Sequence, residues 1–424
     1  MPNQPSRGAT LNPCRAYRTL LALAALTLYA SAANADEPGA PMFSFSGFGT
    51  LGVVHSSEDQ ADFTSSVFKP NGAGHTRGWR TDVDSRLGGQ VTANFTSQLS
   101  AVVQAIAEQR YDNTYTPEIE WANIKYAFTP DFSVRAGRIV LSSFLVSDSR
   151  KVGYANPWVR PPLELYNLVP ISKNDGVDAS LRLRFGEVTN TVQAIYGSIE
   201  PTIADGSKVH GQNQWAIFNT TEYGPLTLHM AYYQSNLTID SLHPLFETFR
   251  QFGPEGIALA DKYDCNGKLI QLGGLGASYD PGNWFLMGEW AKRTSHCFVG
   301  ANTAWYVSSG YRFGKFTPYL TYAQVKADSN TPDPGLTVSS LPPFLAGPAT
   351  VLNATLNGIL AVSPVQKTLS VGGRWDFMKN VDLKLQYEHI RMGAGSPGTL
   401  TNTQPGFQPG GRVEVFSAVV DFVF

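Results

Sequence analysis

Over most of the chain apolar and polar residues alternate one by one for about ten positions, stop at a polar connection, and resume. Near the start Phe43, Phe45, Gly47, Gly49 and Leu51 alternate with small polar or glycine neighbours. Leu87, Gly89, Val91, Ala93 and Phe95 interleave with Arg86, Gln90, Thr92 and Asn94. Val177, Ala179, Leu181, Leu183 and Phe185 interleave with Asp178, Ser180, Arg182 and Arg184, and the same holds around Leu369, Val371, Gly373, Trp375 and Phe377. Side chains two apart share a face of a strand, so each segment has one oily face and one charged face. The pattern predicts sixteen strands, at 43–54, 81–95, 99–111, 119–128, 132–139, 175–185, 188–198, 212–223, 226–234, 268–279, 284–294, 303–313, 316–325, 367–377, 381–389 and 412–424. A hairpin hidden in 235–267 or 326–366 would raise the count to eighteen. Beyond residue 35 there is no helical periodicity of useful length.

The connections alternate too. Short ones carry turn residues, as in Thr129-Pro130-Asp131, Tyr223-Gly224-Pro225, Asp280-Pro281-Gly282-Asn283 and Met378-Lys379-Asn380. Between them lie long Pro/Gly-rich stretches at 139–173, 235–267, 326–366 and 390–411. A soluble sandwich seldom needs several loops of this length on alternate connections. A transmembrane β-barrel has short turns at one end and long loops at the other.

The first 35 residues follow a different rule. Arg15 and Arg18 precede an apolar run at 20–30, which leads into Ser31-Ala32-Ala33-Asn34-Ala35. Positive flank, apolar stretch and Ala33-x-Ala35 site predict a secretory signal peptide over 1–35, leaving one domain over 36–424. Its removal takes away Arg7, Arg15, Arg18 and Cys14, so 29 basic residues face 34 acidic ones, a net charge of −5.

Composition narrows the choice further. Only 16% of residues are charged, against roughly 25% in an ordinary soluble domain. The near-balanced charge excludes a general nucleic-acid binder. A mean hydropathy of −0.15 excludes a bundle of transmembrane helices. The oily face carries Tyr126, Tyr232, Trp284, Trp290, Trp305, Tyr311 and Trp375 close to segment ends. Aromatic girdles at the two interfaces of a bilayer have that placement, and the alternative is a soluble core.

The chain ends with apolar residues at 416, 418, 420, 422 and 424, the last being Phe424. Here it resembles the Gram-negative porins, whose last strand ends this way for recognition by the outer-membrane assembly machinery. Asp84-Ser85-Arg86-Leu87-Gly88, Glu120-Trp121-Ala122-Asn123-Ile124-Lys125-Tyr126 and Val134-Arg135-Ala136-Gly137-Arg138 also look like that family. The resemblance implies an all-β fold: a transmembrane antiparallel β-barrel of sixteen strands in the cell outer membrane, with a constriction loop folded into the lumen. The connection 139–173 suits that loop, because Phe144, Leu145, Trp158, Leu163, Leu165 and Tyr166 are too apolar for a free one. Asp148, Arg150, Lys151, Arg160 and Glu164 give it charge. It lacks the family's Pro-Glu-Phe-x-Gly signature.

By strict alternation the lumen side holds Arg86, Arg110, Lys125, Arg135, Arg182, Arg184, Arg312, Arg374 and Lys384, with Asp178, Glu289, Asp382, Glu388 and Asp421 among the acids. A wall of mixed sign either focuses ions and polar solutes or simply solvates the interior through cross-strand pairs. Arg86, Arg135, Arg182 and Arg374 are expected nearest the inserted loop, opposed by Asp148 and Glu164, for a weak anion preference. Cys265 and Cys297 emerge at the long-loop ends of neighbouring strands and are expected to pair; the alternative is two free thiols in different loops.

The expected function is a porin passing small polar solutes and ions, with no reaction, no cofactor and no metal. The alternatives are a substrate-selective channel for anions or organic acids, and an adhesive or structural barrel with a plugged lumen. The seven histidines form no local constellation with a nucleophile, and His296 with Cys297 and Cys265 lacks a spaced fourth ligand for zinc. Small outward residues on the early strands (Gly47, Gly49, Gly89, Ala93, Ala101, Val103, Ala105, Ala107, Val134 and Ala136) predict a homotrimer, with later strands facing lipid.

Overall fold

The structure, a computed structural model, describes residues 42–329 and 331–424. The signal peptide expected over 1–35 lies outside the described residues. Sixteen strands form the barrel: β1 (Phe43–Ser56), β2 (Arg86–Asn94), β3 (Leu99–Glu108), β4 (Glu118–Ala127), β5 (Phe132–Val140), β6 (Lys173–Phe185), β7 (Val188–Ile199), β8 (Val209–Tyr223), β9 (Leu226–Ile239), β10 (Lys268–Tyr279), β11 (Trp284–Ser295), β12 (Asn302–Tyr311), β13 (Phe316–Ala327), β14 (Gln366–Met378), β15 (Val381–Met392) and β16 (Arg412–Val423). Each pairs antiparallel with its sequence neighbours, and β16 returns to β1, so no sheet edge is left open.

Closure brings the chain end onto the start. Gly47 and Phe424 exchange backbone hydrogen bonds of 2.8 and 3.0 Å. The Phe424 ring then lies over Gly47 and the Phe422 ring over Gly49; a Cβ at either glycine would sit 2.3 Å from the ring. These two glycines, expected as part of a flat wall for subunit packing, are therefore already covered by the chain's own last strand.

The two-residue period holds along the walls. In β12, Asn302, Ala304, Tyr306 and Ser308 are buried, while Val307 and Tyr311 are exposed on the other face. Tyr126, Trp284, Trp290, Tyr311 and Trp375 are all exposed on the oily face, where a bilayer would meet them. The one local break on the early wall is a bulge where β3 pairs with β4, at Gln104 and Ala105. It frees Glu120 from the ladder and leaves it buried.

Strand boundaries differ most from the expected ones at β9, which runs to Ile239 rather than 234, and at β2, which starts at Arg86 rather than 81. The preceding residues fold into a loop with two-residue ladders, Asp62–Phe63 on Ala73–Gly74 and Trp79–Arg80 on β1. The loops 235–267 and 326–366 hide helices, not a hairpin: α2 (His243–Arg250) and α3 (Gly253–Tyr263) in the first, and α4 (Pro343–Ala361) in the second. A further short helix, α1 (Leu163–Tyr166), lies in 141–172. Phe246, Phe249, Leu259, Ala260 and Tyr263 pack with Ala349, Leu352, Leu356 and Leu360 into one apolar cluster. The long-loop end thus carries a helical cap with its own core. Lys262 with Asp333, at 2.8 Å, and Thr337 donating to Glu255, at 2.7 Å, join its two loops.

Candidate functional site

The connection 141–172 between β5 and β6 makes no strand of its own but reaches most of the later wall. Leu145 N–H and Tyr166 O–H both donate to Glu289, each at 2.8 Å. Trp158 Nε1–H donates to Ser308 and Thr321, at 2.8 and 3.0 Å, and its ring meets the Tyr306 ring edge-on. Lys384 and Arg374 each donate to its backbone, at Gly153 and Tyr154, both at 2.6 Å. Ile139, Leu141, Phe144, Trp158, Leu165 and Tyr166 form an apolar cluster with Phe218, Leu272, Phe285, Tyr306 and Tyr319. Burying residues of this size removes most of their surface from water, about 1.5–3 kcal/mol each before entropy.

One ion cluster fixes the middle of this segment. Arg160, whose side chain is 3% exposed, donates through Nε and Nη2 to Asp84, at 3.0 and 2.6 Å. It also bonds Glu388 and, at 2.7 Å, Ser417, and it stacks over Phe63. Burial opposes the charge of Arg160, but Asp84 and Glu388 outweigh it and hold the guanidinium's pKa above its usual value.

Between this segment and the β2–β7 side of the barrel lies a cavity of about 560 Å³. Eight basic residues line it against five acidic ones. Most are paired. Lys151 donates to Glu108 and Glu120 at 2.8 and 2.9 Å, Arg110 meets Glu118 at 2.8 Å, and Arg138 grips Asp175 through two bonds. Burial alone would lower the Lys151 pKa, and the two glutamates reverse that and raise it. Two cations stand apart. Lys69 donates to the Val83 carbonyl at 3.0 Å, and Arg150 donates to the carbonyls of Val169 and Ile171 at 3.3 and 3.2 Å. Among the described residues neither has a salt bridge to a carboxylate. Burial pushes Lys69 down to about 8 and lowers Arg150 as well.

The residues expected on the pore wall divide into four groups. Arg86 and Arg110 line the cavity; Arg86 lies 3.8 Å from Glu108. Arg135 is bound bidentately to Asp178, and exposed Lys125 sits opposite it across the β4–β5 ladder. Arg182, Arg184 and Arg312 lie elsewhere, at the short-turn end. Asp131 takes the backbone N–H of Arg182 and pairs with Arg184 at 2.8 Å, and Asp280 binds Arg312 at 2.6 Å. Strict alternation carries no information on depth along the strand. Arg374 meets Asp376 and Asp382, at 2.7 and 3.1 Å, and Lys384 is fully enclosed beside Asp421. Both are anchors for 141–172 and have little contact with water.

The expected acids fare similarly. Glu164 is buried and accepts from Gln366 at 2.7 Å and from Thr368, so it opposes no arginine. Asp148 is exposed and takes a bond from Ser142 at 3.2 Å. Lys69 was not anticipated at all, because it lies in an irregular loop where no period assigns a face. Cys265 and Cys297 are joined, with Cα atoms 5.1 Å apart, and tie the loop before β10 to the one after β11.

Three solved structures show what this architecture is similar to. An anion-selective porin from Comamonas acidovorans matches at 13% identity and a TM-score of 0.54, over 90% of this chain and 99% of that one. Salmonella typhi OmpF in complex with daunomycin matches at 13% identity and 0.56, over 90% and 97%. The outer membrane channel DcaP of Acinetobacter baumannii matches at 11% identity and 0.53, over 92% and 100%. The fold is that of outer-membrane porins and channels. No family model and no curated protein matches the chain.

Proposed function

We propose that the chain is an outer-membrane porin in which 141–172 folds into the lumen as the constriction loop and solutes pass through the cavity on the β2–β7 side. The observation that carries this reading is the cavity itself: about 560 Å³, charged, and set beside a lumen half that is filled by apolar packing. Small polar solutes and ions cross by diffusion, with no reaction and no bound cofactor. Eight basic linings against five acidic ones, two of the basic ones outside any ion pair, give the path a weak preference for anions. Charges within about a Debye length, ~8 Å at physiological salt, set that preference. The net charge of the exposed loops does not.

Ion current through the purified protein in a planar bilayer, under a potassium chloride gradient, tests both parts. Stepwise conductance with a reversal potential on the anion side is expected. No conductance would favour a plugged structural barrel, and a cation-side reversal would overturn the charge reading. A substrate-selective channel for organic anions is the second reading, favoured by the unpaired cations Lys69 and Arg150. It predicts current block by millimolar carboxylates that chloride does not mimic.

The reading includes a homotrimer. With Gly47 and Gly49 covered and Ala93 buried, the remaining outward positions are Gly89, Ala101, Val103, Ala105, Ala107, Val134 and Ala136; a Cβ at Gly89 would meet nothing within 4 Å. Such a surface permits close subunit packing. A mass of one chain per particle in mild detergent would refute it.

A further inference from the structure

The cap holds a cluster that the channel reading does not use. His243 and Glu247 are four apart on α2 and so share one face of the helix. Asp264 directly follows α3, and its neighbour Cys265 is pinned by the disulfide to Cys297. His243 Nδ1 lies 3.0 Å from Asp264 Oδ2, and Nε2 lies 3.7 Å from Glu247 Oε1. One ligand atom from each of the three residues falls within 4.8 Å of the others.

A second observation points to a cation there. The Asp264 side chain is 2% exposed, and its Oδ1 has no hydrogen-bond partner. A buried carboxylate oxygen left without a donor is destabilising, and a bound cation would relieve that cost. Arg250 approaches Asp264 only to 3.9 Å; its closer bonds are to Glu247, at 3.0 Å, and Asp261, at 2.6 Å. It neutralises part of the cluster's charge, and a bound cation would compete with it for Glu247 and Asp264.

We propose that His243, Glu247 and Asp264 form a zinc site that clasps α2 to the end of α3. One imidazole nitrogen and two carboxylate oxygens, with a water in the fourth position, are a donor set suited to Zn²⁺; an imidazole disfavours calcium and magnesium. Ligand atoms now up to 4.8 Å apart need to close to roughly 3.3 Å for a tetrahedron with bonds near 2.0–2.1 Å. Glu247 is exposed and on a helix surface, so its side chain can make that movement without disturbing the core. Bound metal would add a second clasp beside the disulfide, at the base of the cap.

The test is calorimetric titration of the chelator-stripped, full-length protein in detergent with zinc chloride. One zinc per chain is expected, with uptake abolished by His243→Ala and by Asp264→Asn. Glu247→Gln, a surface change that leaves the fold intact, should weaken uptake without removing it. His210 lies outside the cluster, between Glu200 and Asp240 at 3.2 and 3.1 Å, so His210→Ala should bind zinc as the wild type does. X-ray absorption of the loaded protein should show a single imidazole among oxygen ligands. Absence of saturable uptake, uptake that survives both His243→Ala and Asp264→Asn, or uptake lost in His210→Ala would overturn the site.

Discussion

Replacing Arg160 by Met tests whether the buried ion cluster holds 141–172 in place. Among the described residues the guanidinium is the only group bonded to both Asp84 and Glu388, whose side chains are 1% and 9% exposed. Met fills much of the volume and keeps contact with Phe63, so the change is one of charge rather than packing. Two buried carboxylates then lose their cation, at a cost of about 3–5 kcal/mol. Spread over the docked and undocked states of the segment, that shifts their ratio on the order of 10²- to 10³-fold. Single-channel recording should show this as a noisier and larger open conductance at pH 7. The effect should depend on pH. In the wild type burial raises the Asp84 pKa, but Arg160 outweighs burial and holds it below the usual carboxylate range. In Arg160→Met burial is left largely unopposed, since Arg86 and Lys69 act on Asp84 without forming an ion pair with it. An acid whose folded pKa is raised loses stability as pH rises through its unfolded value, about 3.9. The variant should therefore be closest to the wild type near pH 4 and furthest from it at neutrality. Adding Asp84→Asn and Glu388→Gln should restore quiet currents, because a neutral set leaves no buried charge unpaired. Wild-type currents in Arg160→Met at pH 7, or a defect that persists in the triple variant, would refute the argument.

Burial sets Lys69 at about 8, so between pH 7 and 9 the cavity should lose one positive charge. The reversal potential should move towards cations over that interval, and Lys69→Gln should show the alkaline value at both pH values. Cys297→Ser opens a link spanning 32 residues, worth about 3–4 kcal/mol on the chain-entropy account; faster amide exchange in α2 and α3, with the strands unchanged, is the expected signature. Deleting Phe424 uncovers Gly47 and removes two backbone hydrogen bonds at the β1–β16 seam. The fraction of chains that resists unfolding in cold detergent should fall, and an unchanged fraction would show that the seam does not depend on the last residue.

The strands were legible because a barrel wall obeys one rule, a period of two, enforced by lipid on one side and by water or protein on the other. Turn chemistry at Asp280-Pro281-Gly282-Asn283 and Tyr223-Gly224-Pro225 then fixed where each hairpin reversed. The cap was not legible for the opposite reason. In α4 the buried Ala349, Leu352, Leu356 and Leu360 have helical spacing, but exposed Phe344 and Val351 remove the polar contrast that would reveal a face. Pro348 and two glycines within it also read as loop. The disulfide was accessible because a predicted hairpin brought two strand ends together, a geometric constraint that needs no knowledge of the helices between them.

Alternation tells which residues point inward, and it leaves open which of them meet water. That is decided by 141–172, and the information is split between two distant stretches. The early strands β2 and β3 place Arg86 and Glu108 on the cavity. The later strands place Phe285, Tyr306 and Tyr319 on the same inward side, where a water-filled channel would have no use for them. Each is an apolar residue on the nominally polar face, and each packs in the cluster that also holds Phe144, Trp158 and Tyr166. Inward aromatic residues thus mark the wall against which a loop docks, whereas inward charges on β2 and β3 face the cavity. With that distinction, Lys384 and Arg374 belong with the docked half despite their polarity, because each donates to the segment's backbone, and Glu164, within the segment, is buried against Gln366 and Thr368. On the proposed porin reading, selectivity would rest on a few groups, above all Lys69, Arg150 and Arg86, and substitutions among the buried pairs of the later strands should alter gating before they alter charge preference.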